Sequence, residues 1–402
     1  MKLLLLDPGL RNRVGHNAAL LAEFELETRA LADVQLTAAG SAALTPADFA
    51  GVGCVPRRLF RLDGYWRPSK EEVLDSARLN TLIEMIVGDL MQLPLEEFGG
   101  IVMPTVYPLH AIALARVALR LAHAQLMLGL LMPVSFWFPD SEACAIVGAQ
   151  LGQAIVEIQN SCAVMVYSET GRYDFGGTHA ELATLLPPLA QPTAALVAQL
   201  GAAAPRRTGE RCVFGFFGQP FTSKGLQIVA AAASQVDPAH AVVRFCLPPG
   251  NDAMCRGLAA LSPSIEATSR AMENAEYLRQ MASVDVVLAW YDPEHYGDKM
   301  SGIVPEAVSL GKPLAVTDGC RALVGFLDRY APGAFVTGGY RPEDLLQLLA
   351  LPASIWHAVG AKARASAGVV RGLKDMRRYL SAGGMGGAYD LRAEEASTDL
   401  VA

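Results

Sequence analysis

Short apolar runs alternate along this chain with longer stretches in which apolar positions recur at helical spacing. Residues 3–6 are all leucine and stop at Asp7, and from about His16 an Ala/Leu-rich stretch takes over. The alternation continues with strands expected at 34–36 and 51–55, a helix at about 71–93, a strand at 100–103 and a helix from Leu109. A helix over 144–156 and a strand over 163–167 close this half. Apolar runs bounded by loops read as strands buried on both faces, and the periodic stretches as crossover helices of a parallel sheet.

Residues 183–210 are rich in Pro and Ala and read as a hinge with one short helical piece. A second series of the same kind follows: strand 212–218, helix 224–235, strand 241–247, helix 273–284 and strand 285–290. It continues with "DKMSGIVPEAVSLGKP" (298–313), a loop entering a helix, and the apolar run 314–316. The expected class is α/β, with two Rossmann-like doubly wound domains facing a cleft. Their bounds are expected at 1–185 and 211–380, with the hinge at 186–210, a weakly ordered tail at 381–402, and a last helix free to cross back to the first domain. Ligands of such sheets bind outside the carboxyl ends of the strands, so chemistry is sought just after each strand.

Composition narrows the field. The chain has 402 residues, 52% of them apolar, enough for two full cores. The opening leucines are too short a run for a signal peptide, and the longest apolar stretch, 111–134, is interrupted by Arg116, Arg120 and His123. A cytoplasmic protein is expected. Seven cysteines form no CxxC pair and no metal-ligand spacing with histidine, which favours reduced, mostly buried thiols. Up to residue 205 there are 13 basic against 20 acidic residues, and 20 of each beyond it. That balance argues against nucleic acid as a partner and against an electrostatically held membrane surface. The cluster Arg206, Arg207 and Arg211 reads as a solvated linker. The apolar face near 126–134 reads as core, with contact to a lipid-linked molecule as the other reading.

Two loops of the second half carry candidate chemistry. After strand 212–218, "GQPFTSKG" places Lys224 at the start of a helix; after strand 285–290, "YDPEHYGDKMSG" brings Ser301, Gly302 and the amide of Ile303 to the same rim. A lysine, a glycine that permits close approach and unpaired helix amides can together seat a diphosphate. Glu306, about one turn into the helix, can offer its carboxylate to ribose hydroxyls. Singly, each has a plainer reading: a solvated lysine, a loop glycine, a carboxylate paired with a helix dipole.

From 212 to 330 the sequence resembles the nucleotide-sugar domain of GT-B glycosyltransferases, the retaining family 4 group; before that the likeness is architectural. The resemblance implies that Lys224 contacts the donor diphosphate, that Glu306 is the second glutamate of an E-x7-E motif, and that the amides near Ser301, Gly302 and Ile303 form the phosphate loop. Gln219 stands where that family carries an arginine, and Asp298 where it carries the first glutamate. Glu294 is the other carboxylate near that position, and Lys299 or an arginine of the first domain can supply the missing charge. In the first half, "DPGLRNRVGHN" (7–17) is implied to be the acceptor-side glycine loop with Gly15 facing phosphate, beside the plain reading of a βα turn capped by Asn17. His110, in "PTVYPLH", matches a histidine that the family places near the donor sugar; a structural histidine at a helix start is the alternative. "EHY" (294–296) is either sugar-pocket lining or packing.

The resemblance implies a retaining transferase that moves a sugar from a nucleoside diphosphate sugar to a hydroxyl acceptor, whether glycan, lipid-linked or protein. A catalytically weak subunit that binds nucleotide or glycan and serves as a scaffold is the alternative, and a sugar-nucleotide 2-epimerase a third. No DxD motif sits in a suitable place, so no metal or other cofactor is expected, the nucleotide sugar being substrate.

Overall fold

The computed structural model describes residues 1–12, 16–30, 33–45, 49, 53–188, 196, 199–200, 211–373 and 375–385. The chain divides into two compact units, one made of Met1–Asn12, Leu21–Pro188 and Lys374–Ala402, the other of Arg13–Leu20 and Leu189–Leu373.

The first unit holds β1 (Lys2–Leu6), β2 (Gln35–Ser41), β3 (Arg57–Phe60), β4 (Gly100–Met103), β5 (Gln125–Gly129), β6 (Ala163–Ser168), the hairpin β7 (Arg172–Asp174) and β8 (His179–Glu181), and β9 (Ala183–Thr184). Seven of these form a sheet in the order β3-β2-β1-β4-β5-β6-β9, parallel throughout. The second unit holds β10 (Cys212–Phe217), β11 (Ala241–Leu247), β12 (Ile265–Ser269), β13 (Val286–Ala289), β14 (Leu314–Thr317) and β15 (Phe335–Gly338), in the order β12-β11-β10-β13-β14-β15, again parallel. Central strands are buried along nearly their whole length, every residue of β4, β10 and β13 included, because helices cover both faces.

Several elements differ from their expected form for identifiable reasons. Cys54 and Val55 lie before a strand rather than in one, and residues 51–52 fall outside the described set; the strand is β3, whose arginines are exposed while Leu59 and Phe60 are buried. An edge strand tolerates such charges, and they hide it from a search for apolar runs. The helix expected at 71–93 is two helices, Lys70–Leu74 and Ser76–Leu90. Asp75 separates them and accepts hydrogen bonds from the N–H groups of Ala77 (3.0 Å) and Arg78 (3.2 Å). The apolar stretch 111–134 contains the end of helix Pro108–Arg116 and then β5, which lies inside the sheet. Most of the expected hinge, and residues 386–402 of the expected tail, lie outside the described residues.

The segment Met376–Ala382 packs within the first unit. Tyr379 meets Phe24 and Tyr167 edge-on, at ring-centroid distances of 6.1 and 5.7 Å, and its hydroxyl is bonded to that of Tyr167. All seven cysteines are free and six are buried. Among the described residues no helix is long and apolar enough to cross a membrane.

Candidate active site

In the second sheet the strand order reverses between β10 and β13, the place where such sheets bind ligands, and the loops leaving the carboxyl ends of these two strands lie side by side. The loop after β10 opens with Gly218 at φ +103° and ends with Gly225 at φ +71°, conformations that glycine adopts without steric cost. At Gly225 a β-carbon would lie 2.0 Å from the carbonyl oxygen of Trp290, the residue that follows β13, so only glycine lets the two loops approach this closely. The loops are also tied by the Asp292 N–H bonding to the carbonyl of Ser223 (3.0 Å). The Tyr340 hydroxyl reaches the carbonyl of Thr222 (3.3 Å).

These braces hold Lys224 in the short 3-10 turn Thr222–Lys224, just ahead of helix Leu226–Ala233 rather than inside it. Its ammonium lies 5.7 Å from the ring centroid of Tyr291, and a β-carbon on Gly218 would sit 3.2 Å from it. Burial pulls the Lys224 pKa below its ordinary 10.5, and the charge of Glu306 opposes that pull. A partly desolvated cation facing a single carboxylate is poised to take an anion.

Helix Ile303–Ser309 supplies the opposite wall. Gly302 stands at its N-cap with no side-chain cap, Val304 N–H bonds to the Ser301 carbonyl (3.0 Å), and among the described residues no acceptor takes the N–H of Gly302 or Ile303. The helix is only seven residues long, so its dipole is slight and the fixed charge of Lys224 dominates. Two tyrosines lie against this wall. Tyr291, fully buried, shares a 3.2 Å hydrogen bond with the Ser301 hydroxyl, and Tyr277 donates to Oε2 of Glu306 at 3.0 Å. Burial raises both phenols above their ordinary value of 10, so each remains a donor into the alkaline range.

The structure thus gathers Lys224, Ser301, Gly302, Ile303 and Glu306 in one place. Gln219 is exposed in the β10 loop beside Gly218. Asp298 faces outward: its carboxylate forms a two-pronged pair with Arg321, at 3.2 Å from Nε and 2.8 Å from Nη2, with about three quarters of both side chains exposed. Glu294 is exposed in helix Pro293–Tyr296, where Asp292 caps its N–H at 3.0 Å. Lys299 lies 5.9 Å from the ring centroid of Tyr296. Gly15 lies outside the described residues.

His110 belongs to the first unit, in the first turn of helix Pro108–Arg116. It is buried, edge-on to Phe60 and Tyr107, with Nε2 at 2.8 Å from the carbonyl of Leu62. A carbonyl only accepts, so Nε2 carries the proton; burial lowers the pKa to about 4 and keeps the ring neutral at pH 7. Nothing in the sequence marks Trp290 and Tyr291, which end an apolar run and look like ordinary core, or Tyr277, which sits in a polar crossover helix far from its partner. The described residues contain no group of three or more His, Cys, Asp or Glu arranged to hold a metal ion.

Two doubly wound parallel sheets in one chain, the second ordered 3-2-1-4-5-6 and the first the same with one added strand, make the GT-B fold. Solved structures agree over nearly the whole chain. Anabaena HepE in complex with UDP and glucose superposes with a TM-score of 0.60 at 13% identity, covering 95% of this chain and 99% of that one. A glycosyltransferase from Rickettsia africae gives 0.59 at 9% identity (97% and 99% covered), and sucrose-phosphate synthase from Thermosynechococcus elongatus gives 0.56 at 13% (96% and 100%). No protein-family profile matches the chain, and no curated protein matches it in sequence.

Proposed function

We propose that this protein is a retaining glycosyltransferase that moves a sugar from a nucleoside diphosphate sugar to a hydroxyl acceptor. The observation that carries the reading is Lys224, partly desolvated and facing Glu306 beside the uncapped Gly302 and Ile303 amides, at the switch point of the sheet. Likeness to the family 4 pattern supports it, as does the fold shared with HepE, whose structure holds UDP and glucose; UDP is therefore the first base to try.

In this reading Lys224 and the amides neutralise the charge that grows on the diphosphate as the glycosidic bond breaks. The departing phosphate oxygen takes the proton of the acceptor hydroxyl on the same face of the sugar, so configuration is kept without a protein nucleophile. Glu306 binds the ribose. Asp298 orients the donor sugar once its pair with Arg321 opens. His110 stays neutral with its Nε2–H given to the carbonyl of Leu62, so no acid role is assigned to it. Charge neutralisation by Lys224 makes the reaction independent of divalent metal, so EDTA should leave the rate unchanged.

The direct test is incubation with UDP-glucose, other sugar nucleotides and a panel of glycan, lipid-linked and peptide acceptors, reading nucleotide release and the anomeric configuration of the product. Transfer with retention supports the proposal, and inversion overturns its mechanism. The exposed Gln219 and the engaged Asp298 favour a second reading, a GT-B subunit that binds nucleotide without turnover. Tight nucleotide binding with no transfer to any acceptor, and activity restored by a co-purifying partner, would select it.

A further inference from the structure

Glu306 is held by a residue that no sequence motif marks. Tyr277 lies on helix Asn274–Ala282, the crossover from β12 to β13, and its hydroxyl lies 3.0 Å from Oε2 of Glu306. An ionised carboxylate only accepts, so the phenol donates. The tyrosine ring is set in turn by Phe217, the last residue of β10, which it meets edge-on at 5.9 Å and 83°. Burial, with the facing carboxylate second, pushes the phenol pKa well above its ordinary 10, so the donor proton stays in place throughout the neutral and mildly alkaline range.

The two oxygens of Glu306 have different surroundings. Oε2 takes the phenol; Oε1 borders the exposed Gly302, where a β-carbon would come only as near as 4.0 Å. A glutamate side chain has three rotatable bonds and a terminal torsion with broad minima. Anchoring one oxygen removes that freedom before any ligand arrives, which is how preorganisation adds affinity without adding a contact.

We propose that Tyr277 is a positioning residue, which holds Oε2 of Glu306 and so sets the orientation in which the carboxylate meets the vicinal hydroxyls of a donor ribose. The inference rests on the nucleotide-sugar reading and deepens it, assigning ribose recognition to a Phe217–Tyr277–Glu306 relay that starts at the end of β10.

The test is calorimetric binding of UDP and of 2′,3′-dideoxy-UDP to the full chain, with the GDP and ADP pairs alongside. The wild type should prefer the ribose form by about tenfold to a hundredfold, the scale of one or two hydrogen bonds to a charged group. Tyr277→Phe should lose most of that preference while binding the dideoxy form as the wild type does, and Glu306→Gln should do the same. The double variant should lose no more than either single one, as expected of residues acting through one contact. Phe217→Leu keeps the hydroxyl but removes the ring edge that sets it, and should erode the preference in part; it carries the test if Tyr277→Phe does not fold. A purely structural Tyr277 would weaken both nucleotides equally, and that result, or an unchanged preference, overturns the inference while leaving the donor reading intact. If none of the three nucleoside diphosphates binds the wild type, the donor reading fails and the inference fails with it.

Discussion

The carboxyl ends of the two sheets follow the same plan and are furnished differently. In each, the fourth strand in chain order of its sheet leads into a helix with Pro in its first turn: Tyr107-Pro108 after β4, Asp292-Pro293 after β13. After β4 the turn delivers His110 into an aromatic setting, where its one donated bond is spent on a backbone carbonyl and its charge is suppressed. After β13 the backbone instead braces the β10 loop and continues to Ser301 and Glu306, where a lysine keeps a carboxylate as counter-charge. One topology yields a buried aromatic corner in one unit and a charged seat in the other. The difference comes from a few loop residues, chiefly the glycines that let backbone and ammonium approach and the polar groups those glycines expose.

The sharpest way to break this contrast is to neutralise the lysine. Lys224→Met keeps the stem and removes the charge; sugar transfer should fall roughly a hundredfold to a thousandfold, about 2.7–4 kcal/mol on the scale of one preorganised donor. Stability at pH 7 should hold or rise, because burial disfavours the ammonium in the fold. Retained transfer would show that the charge is not the operative feature.

The histidine corner predicts the opposite kind of sensitivity. The His110 pKa is lowered from 6.5 to about 4, so the stability it contributes is present above pH 6.5 and lost as pH falls through 4. The cost approaches about 3 kcal/mol when the ring is forced to charge. Urea unfolding of wild type and His110→Gln across that range should show a shallower acid loss in the variant, with nucleotide binding unaffected.

Glycine substitutions separate close approach from mere flexibility. Gly225→Ala puts a β-carbon on the Trp290 carbonyl at a positive φ, and thermal unfolding should show a loss of at least about 2 kcal/mol. Gly257→Ala, inside helix Asp252–Leu261 with nothing within 4 Å of the new atom, should be neutral or stabilising by up to about 1 kcal/mol. The smallest effect is expected of Gln219→Arg, which adds charge to an exposed loop position and should tighten nucleotide binding several-fold at low salt, less at high salt.

These contrasts also explain what could be read from the sequence. Central strands such as β1, β4 and β10 declare themselves as unbroken apolar runs because both faces are covered. The edge strands β3 and β12 do not, since their solvent-facing residues are Arg, Glu, Thr and Ser. At the site, Lys224, Ser301, Gly302 and Glu306 are legible because each follows a strand at a loop glycine or a helix start. Tyr277 is not, because its partner is 29 residues away and its own helix reads as plain crossover. The spacing that marks Asp298 gives no sign of Arg321, the residue that engages it 23 positions later.

The central claim is that Lys224 and the Ser301–Glu306 wall make a nucleoside diphosphate seat. Its most direct test is calorimetric titration of UDP into wild type and Lys224→Met, repeated as pH rises from 7 toward lysine's ordinary 10.5. The account requires wild-type binding that weakens as Lys224 loses its proton somewhere below 10.5, since the ammonium is the form that holds the anion. Lys224→Met should bind poorly at every pH, with no such step. Equal affinity in the two proteins, or a wild-type affinity indifferent to pH across that range, would contradict it.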